Sequence, residues 1–293
     1  MDKPNFSTYF SVQEEEIQDR IFEILKSLNE PVSLSHLKIM FSCLDLTNLD
    51  PAATDEEIET LVDKTINLGS DETFLFPAGI CVYPTKLESI KTDRNLKGIK
   101  LVTVAGAFPH GQADLSVKLA EVTKAIEQGA DEIDVVINRS LILSHRFDEA
   151  YAELEAIRKA SQGITLKVIL ETGELPNLKY VLIAADMALY AGADFLKTST
   201  GTIEKGANVE SLYVMLHAIK RFYNEHGKPV GIKVSGGVSN ISKAHQMYLL
   251  VAEQLGEEWL NKSRFRIGSS KLAKLILNEM AIEVNNYDLR NYY

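Results

Sequence analysis

Cysteine is almost missing from this chain: Cys43 and Cys81 are the only two in 293 residues, so no disulfide framework holds it together. Both sit in apolar runs, Phe41-Ser42-Cys43-Leu44 and Gly79-Ile80-Cys81-Val82, where a free thiol packs as a small hydrophobe. Histidine is sparse too. His36, His110, His145, His217, His226 and His245 show no HxH or HxxxH spacing, which argues against a catalytic metal, and the expectation is none. No run approaches the roughly 18 apolar residues of a spanning helix. The first ten residues lack a basic segment followed by an apolar one, so the expected compartment is the cytoplasm. Basic charge is in deficit. Thirty-one Lys and Arg against 41 Asp and Glu leave a formal charge of -10, a surface that repels nucleic acid and anionic lipid, so neither is expected as a partner. With 45% hydrophobic residues and 25% charged, the chain is neither disordered nor fibrous.

What is present is alternation. Residues 12 to 29 place Ile17, Ile21, Ile24, Leu25 and Leu28 on one helical face, with Ser11 and Glu14 in a capping-box pattern. A second short helical pattern runs through Leu34, Leu37 and Met40 after Pro31. These form an N-terminal helical extension over residues 1–40, whose apolar face is left open between a homodimer interface and a cover for the bottom of its own fold. From residue 41, short β-branched runs alternate with amphipathic helical stretches. The predicted strands are Phe41–Leu46, Leu75–Tyr83, Ile99–Ala105, Glu132–Ile137, Thr165–Glu171, Asp194–Thr198, Pro229–Ser235 and Phe265–Ser269. Thr54 with Glu57 caps the first intervening helix. Eight units of about 32 residues match a TIM (β/α)8 barrel over residues 41–280, followed by a tail over 281–293. An open doubly wound sheet would announce a GxGxxG turn after its first strand, and nothing after Leu46 resembles one.

In such a barrel the site lies at the C-terminal edges of the strands. Asp45, Asp134, Lys167, Lys197 and Lys233 each stand among Ile, Val, Leu or Phe on a predicted strand. Charges buried there are costly unless they pair with one another. Clustered lysines have a chemical use, because desolvation and a neighbouring cation both favour the neutral amine, which attacks carbonyls. An ordinary lysine, with a pKa of about 10.4, needs such help to react near neutrality. A second constellation suits a phosphate: Thr200-Gly201-Thr202, Ser235-Gly236-Gly237 and Gly268-Ser269-Ser270 follow the sixth, seventh and eighth strands, where small residues open backbone N–H groups to an anion.

At these residues a family resemblance enters. Gly192-Ala193-Asp194-Phe195-Leu196-Lys197-Thr198-Ser199-Thr200-Gly201, Lys167-Val168-Ile169-Leu170-Glu171-Thr172-Gly173-Glu174, Asp131-Glu132-Ile133-Asp134-Val135-Val136 and Gly231-Ile232-Lys233-Val234-Ser235-Gly236-Gly237 resemble deoxyribose-phosphate aldolase in order and spacing. Asp45-Leu46-Thr47-Asn48-Leu49, Cys81-Val82-Tyr83-Pro84 and Phe108-Pro109-His110-Gly111 extend the likeness to about residues 41–280.

The resemblance implies a Schiff-base lyase of deoxyribonucleotide catabolism. It would cleave 2-deoxyribose 5-phosphate reversibly into glyceraldehyde 3-phosphate and acetaldehyde, with no cofactor. Lys197 would be the nucleophile. Lys233 would depress its pKa and, with Asp134, handle protons through a bound water, while Lys167 orients Asp134. Asp45 and Thr47 would meet the substrate hydroxyls. Thr198, Gly201, Gly236, Gly237, Gly268 and Ser270 would bind substrate and phosphate, and no role is required of Cys81. The final Tyr293 resembles the terminal tyrosine of some members, whose tail relays protons at the site. Asp134→Asn is expected to slow proton transfer and spare the fold.

The chain departs from the family pattern at Thr202, Ser239 and Lys271, where some members carry Lys, Arg and Ser; the phosphate site is therefore less basic, or draws on Lys205 or Lys271. Two other readings stay open, a transaldolase-like Schiff-base barrel and an inactive phosphosugar-binding barrel.

Overall fold

The computed structural model describes residues 3–8, 13–26, 31–68, 76–91 and 95–283. Eight parallel strands close into one barrel in chain order, with β1 returning to β8. They are β1 (Leu44–Asn48), β2 (Gly79–Val82), β3 (Lys100–Ala105), β4 (Glu132–Val136), β5 (Thr165–Ile169), β6 (Phe195–Lys197), β7 (Gly231–Ser235) and β8 (Phe265–Gly268). Seven of the eight predicted runs contain their strand, most of them longer than it by a residue or two where pairing stops before the apolar pattern does; Leu75, the start of the second run, lies outside the described residues, and the first strand continues past the predicted Leu46 to Asn48.

The first run differs most. Phe41 and Ser42 belong to helix α2 (Leu34–Ser42), because Leu37, Met40 and Phe41 keep the helical stripe and are all buried, so the strand begins only at Leu44. Helix α1 spans Glu14–Leu25, shorter than its pattern; Ser11 and Leu28 lie outside the described residues. The remaining helices ring the barrel: α3 (Asp55–Ile66), α4 (Leu87–Lys91), α5 (Leu115–Glu127), α6 (Arg139–Leu143), α7 (Phe147–Ala160), α8 (Leu178–Tyr190), α9 (Val209–His226), α10 (Ile241–Leu255) and α11 (Lys271–Glu283).

Helix starts follow local chemistry. Thr54 and Glu57 form the reciprocal capping box of α3, Glu57 accepting from the Thr54 N–H at 2.7 Å. Asn138, Asn177, Asn208 and Asn240 each accept a backbone N–H at the start of α6, α8, α9 and α10. Each such cap is worth about 1 kcal/mol, and each marks where a strand's mouth loop turns back into a helix.

Helix α1 packs against α9 and α10, and α2 against α10 and α11. Ile17 and Ile21 are the buried face of α1. Glu14 and Gln18 line a cavity of about 540 Å³ together with Thr172, Asn177, Lys205 and Asn208, which follow β5 and β6. Among the described residues the extension thus flanks the barrel wall, and α1 reaches toward its C-terminal face. The apolar stripe of α1 finds its partner in the groove between outer helices. Among the described residues no helix is long and apolar enough to cross a membrane.

Candidate active site

Alternation along a strand sends every second side chain into the barrel. On β4 this aims Glu132 and Asp134 inward, on β5 Lys167, on β6 Phe195 and Lys197, on β7 Lys233, on β8 Arg266 and on β1 Asp45. Register then sets the heights. Asp134 lies opposite Lys167, Lys197 opposite Lys233, and Lys233 opposite Arg266. Lys197 is the last residue of β6, at the C-terminal mouth, two residues above Phe195, which pairs with Lys167. Two glycines make the room: a Cβ on Gly231 would strike the Phe195 ring at 2.3 Å, and one on Gly268 would press the Lys233 side chain at 3.3 Å.

The five charges singled out in the sequence meet, and two more join them. Asp134 Oδ1 accepts from Lys167 Nζ at 2.9 Å, while Oδ2 accepts from both Lys197 and Lys233 at 2.8 Å. Lys233 Nζ also stands 2.6 Å from Asp45 Oδ2. Arg266 donates to Asp45 Oδ1 at 2.6 Å and to both Glu132 oxygens, at 2.7 and 3.1 Å. Glu132 in turn lies 2.6 Å from Lys167. The ion pairs close on themselves as a ring of alternating sign: Glu132, Lys167, Asp134, Lys233, Asp45, Arg266. None of the six is more than 4% exposed.

Three carboxylates face three cations in that ring, so it is neutral. Lys197 hangs from Asp134 as a seventh, excess charge. This count explains the titration behaviour. Burial pushes the Lys197 amine below its ordinary value, Asp134 opposes this, and Lys233 lowers it further. For Lys233 burial works the same way, but Asp134 and Asp45 together overcome it and raise its pKa. Asp134 feels burial upward, yet Lys167, Lys197 and Lys233 hold it well below the usual carboxylate range. Asp45 likewise is pushed up by burial and brought down by Lys233, Arg266 and Lys167. Of the buried lysines on the strands, Lys197 is thus the one suited to act as a free amine.

Arg266 and Glu132 escaped the sequence reading although they carry the same signal, a charge between Phe265 and Ile267 and one before Ile133. Glu171 escaped it too. It follows β5 in a left-handed conformation, φ 51°, is buried, and accepts from the Thr200 N–H at 3.2 Å and the Thr200 hydroxyl at 2.5 Å. It therefore ties the loop after Lys197 to the loop after β5. Burial raises its pKa, against the Thr200 hydrogen bonds.

The loops proposed for an anion converge. A Cβ on Gly201 would lie 4.0 Å from Gly236 Cα. Thr198 Oγ1 donates to Ser235 O and accepts the Ser235 N–H, both at 3.0 Å. Ser270 Oγ donates to Thr47 O at 2.9 Å, and Thr47 Oγ1 donates to Asp45 O at 2.9 Å, so Thr47 and Ser270 brace the rim between β1 and β8. Gly201 and Gly237 are exposed. Thr202, Ser239, Lys205 and Lys271 are exposed as well, and the Thr202 hydroxyl is engaged with Thr200 at 2.8 Å. A cation absent from the sequence reading stands beside the glycines: Lys243, in the first turn of α10, brings Nζ to 3.4 Å from where a Gly237 Cβ would be. Tyr293 lies outside the described residues. Among the described residues no cluster of His, Cys, Asp and Glu is arranged to hold a metal. Cys81 is fully buried, and burial raises its thiol pKa.

Residues 34–255 match the model of the DeoC/LacD family aldolases. The chain belongs to that family. Membership makes it a carbon–carbon lyase. The deoxyribose-phosphate aldolases of Mus musculus and Homo sapiens are each 38% identical over 240 residues, covering 78% of this chain and 76% of theirs. The Bos taurus protein of the same name is 37% identical over 242 residues, covering 79% and 76%. Among solved structures, the tetrameric deoxyribose phosphate aldolase of Aeropyrum pernix superposes with a TM-score of 0.66 at 29% identity, covering 90% of this chain and 98% of that one. The aldolase QR15 does so at 0.68 and 28%, covering 83% and 98%.

Proposed function

We propose that this family member cleaves 2-deoxy-D-ribose 5-phosphate reversibly to D-glyceraldehyde 3-phosphate and acetaldehyde, with Lys197 as the imine-forming nucleophile. The observation that carries the reading is the charge count: a neutral buried ring with one excess lysine, placed at the strand end where a substrate enters. The names of the mammalian relatives support the choice of sugar.

The steps use groups at hand. The Lys197 lone pair attacks the C1 carbonyl of the open-chain sugar. The carbonyl oxygen takes up two protons and leaves as water, giving a protonated imine. The C2–C3 bond then breaks: its electron pair becomes the enamine, the 3-hydroxyl proton passes to Asp134 through water, and the glyceraldehyde phosphate departs. The enamine carbon takes that proton back from Asp134 through water, and hydrolysis of the resulting cationic imine releases acetaldehyde, the free amine and a proton. As a carboxylate, Asp134 balances the imine while it is cationic, and Lys233, held protonated between two carboxylates, keeps a fixed positive charge beside it. Thr198, Gly201, Gly236, Gly237, Gly268 and Ser270 cradle the phosphate end, and the reaction belongs to deoxyribonucleotide breakdown in the cytoplasm.

Borohydride reduction in the presence of acetaldehyde, followed by peptide mass spectrometry, tests the reading. It predicts an ethyl adduct confined to Lys197. Adducts scattered over exposed lysines, or none, would leave a phosphosugar-binding barrel as the better description.

A further inference from the structure

We infer that Arg266 and Glu132, on the floor of the charged ring, are positioning residues that set the pH at which Lys197 becomes a nucleophile. The inference rests on Lys197 being the imine-forming amine. Neither residue is paired with Lys197: Arg266 meets Asp45 and Glu132, and Glu132 meets Arg266 and Lys167. They reach the nucleophile only through the ring, by way of Asp45 and Lys233 on one side and Lys167 on the other, both arms ending on Asp134.

A buried ion pair of this kind adds little to stability compared with an apolar pair of the same shape. Its consequence here is electrostatic. With all six members ionised, the ring contributes no net charge at Lys197, and the excess proton is the one most easily lost. Deleting Arg266 leaves the ring one charge negative. Asp45 keeps Lys233 and Glu132 keeps Lys167, so both stay ionised, and the Lys197 ammonium is favoured. Deleting the Glu132 charge leaves the ring one charge positive, and the ammonium is disfavoured.

The other groups facing these residues do not offset the change. Lys197 faces Asp134, Lys233 and the buried Cys81 thiol. Arg266 donates besides to the Lys262 carbonyl at 2.5 Å, lies 5.6 Å from the Phe195 ring centroid, and has the Cys43 thiol behind it on the chain leading into β1. Lys167 Nζ lies 5.9 Å from the centroid of the same Phe195 ring. Burial pushes the Cys43 thiol up to about 12, so it stays neutral in the working range.

The test is the pH dependence of acetaldehyde trapping on Lys197, which involves no phosphate titration, measured for wild type, Arg266→Met, Glu132→Gln and the double variant. The midpoint of the acid limb should move up by about one pH unit in Arg266→Met and down by about one unit in Glu132→Gln, a tenfold change in free amine each way. The double variant, neutral again, should return close to wild type. Shifts of opposite sign from the two halves of one ion pair are not what packing damage produces. Limbs that stay in place, or that move the same way, overturn the inference. Should Arg266→Met not fold, Glu132→Gln decides alone: an unmoved or raised midpoint overturns it. A wild-type protein that traps no acetaldehyde on Lys197 refutes the proposed nucleophile instead, so the two failures are distinct.

Discussion

Lys197 and Lys233 share one oxygen: each ammonium stands 2.8 Å from Oδ2 of Asp134. Two cations on one carboxylate oxygen are not equivalent, because Lys233 has a second carboxylate, Asp45, at 2.6 Å, and among the described residues Lys197 has no second one. The proton stays where two anions hold it, and the amine is freed where only one does.

Removing the excess charge should therefore leave the ring whole. Lys197→Ala is expected to abolish the borohydride-trapped adduct and lower turnover by about three orders of magnitude or more, while the midpoint of urea unfolding stays at or above that of wild type. Residual trapping elsewhere with near-normal turnover would contradict the assignment.

Asp134→Asn is a different matter. Read from the sequence, it should slow proton transfer and spare the fold. The structure corrects the second half, because three buried ammonium groups converge on this one carboxylate. An amide would leave Lys197 without its anion and Lys167 and Lys233 with one each, Glu132 and Asp45, so a loss of about 3–5 kcal/mol in urea unfolding is expected, together with a fall in kcat of about 10² or more in the folded fraction. Unchanged stability would mean that the lysines shed their protons at small cost.

Lys243 stands beside the Gly237 loop proposed for the phosphate. Lys243→Ala should raise KM for the sugar phosphate about tenfold, the worth of one charge-assisted contact, and leave the cleavage of unphosphorylated 2-deoxyribose unchanged. Equal effects on both sugars would place Lys243 outside the phosphate site. Lys205→Ala and Lys271→Ala, in exposed positions, should do less.

Protonation should loosen the seam between the N-terminal extension and the barrel. His36 Nδ1 lies 3.0 Å from His245 Nε2, with the Tyr248 ring 4.6 Å from the His36 ring, centroid to centroid, so α2 is hydrogen-bonded to α10 through two imidazoles. Burial first, and then His36, push the His245 pKa below its ordinary 6.5. Below pH 6.5 the unfolded chain therefore binds more protons than the folded one, and stability falls as the pH drops, while above 6.5 nothing is lost. Tm should decline as the pH falls from 6.5 to 5.5, and less so in His245→Gln, with His217, whose pKa desolvation also lowers, leaving a residual slope. An identical slope in the variant would exclude the pair as the cause.

The eight strands were legible because each is a short apolar run closed by turn residues, and five of the seven core charges because Asp or Lys among apolar residues on a doubly covered strand is costly and rare. The motif around Lys197 disclosed the family for a similar reason, since the chemistry demands particular residues within one strand and its loop. Local pattern also determined the helix caps, from Thr54 with Glu57 to Asn240. What it could not determine is partnership. Asp45 and Arg266 are 221 positions apart, and they meet because β1 closes on β8, a consequence of strand twist and tilt that no short window of residues contains. The same closure turns seven separate charges into a neutral ring plus one. Lys243 reaches Gly237 because α10 starts right after the loop, and Glu171 reaches Thr200 because neighbouring strands end at the same height. The residue types and their places on strands belong to the sequence. Which charge neutralises which, and therefore which lysine is left over to react, was decided by the tertiary structure, because Coulomb energy depends on distance through space and is blind to distance along the chain.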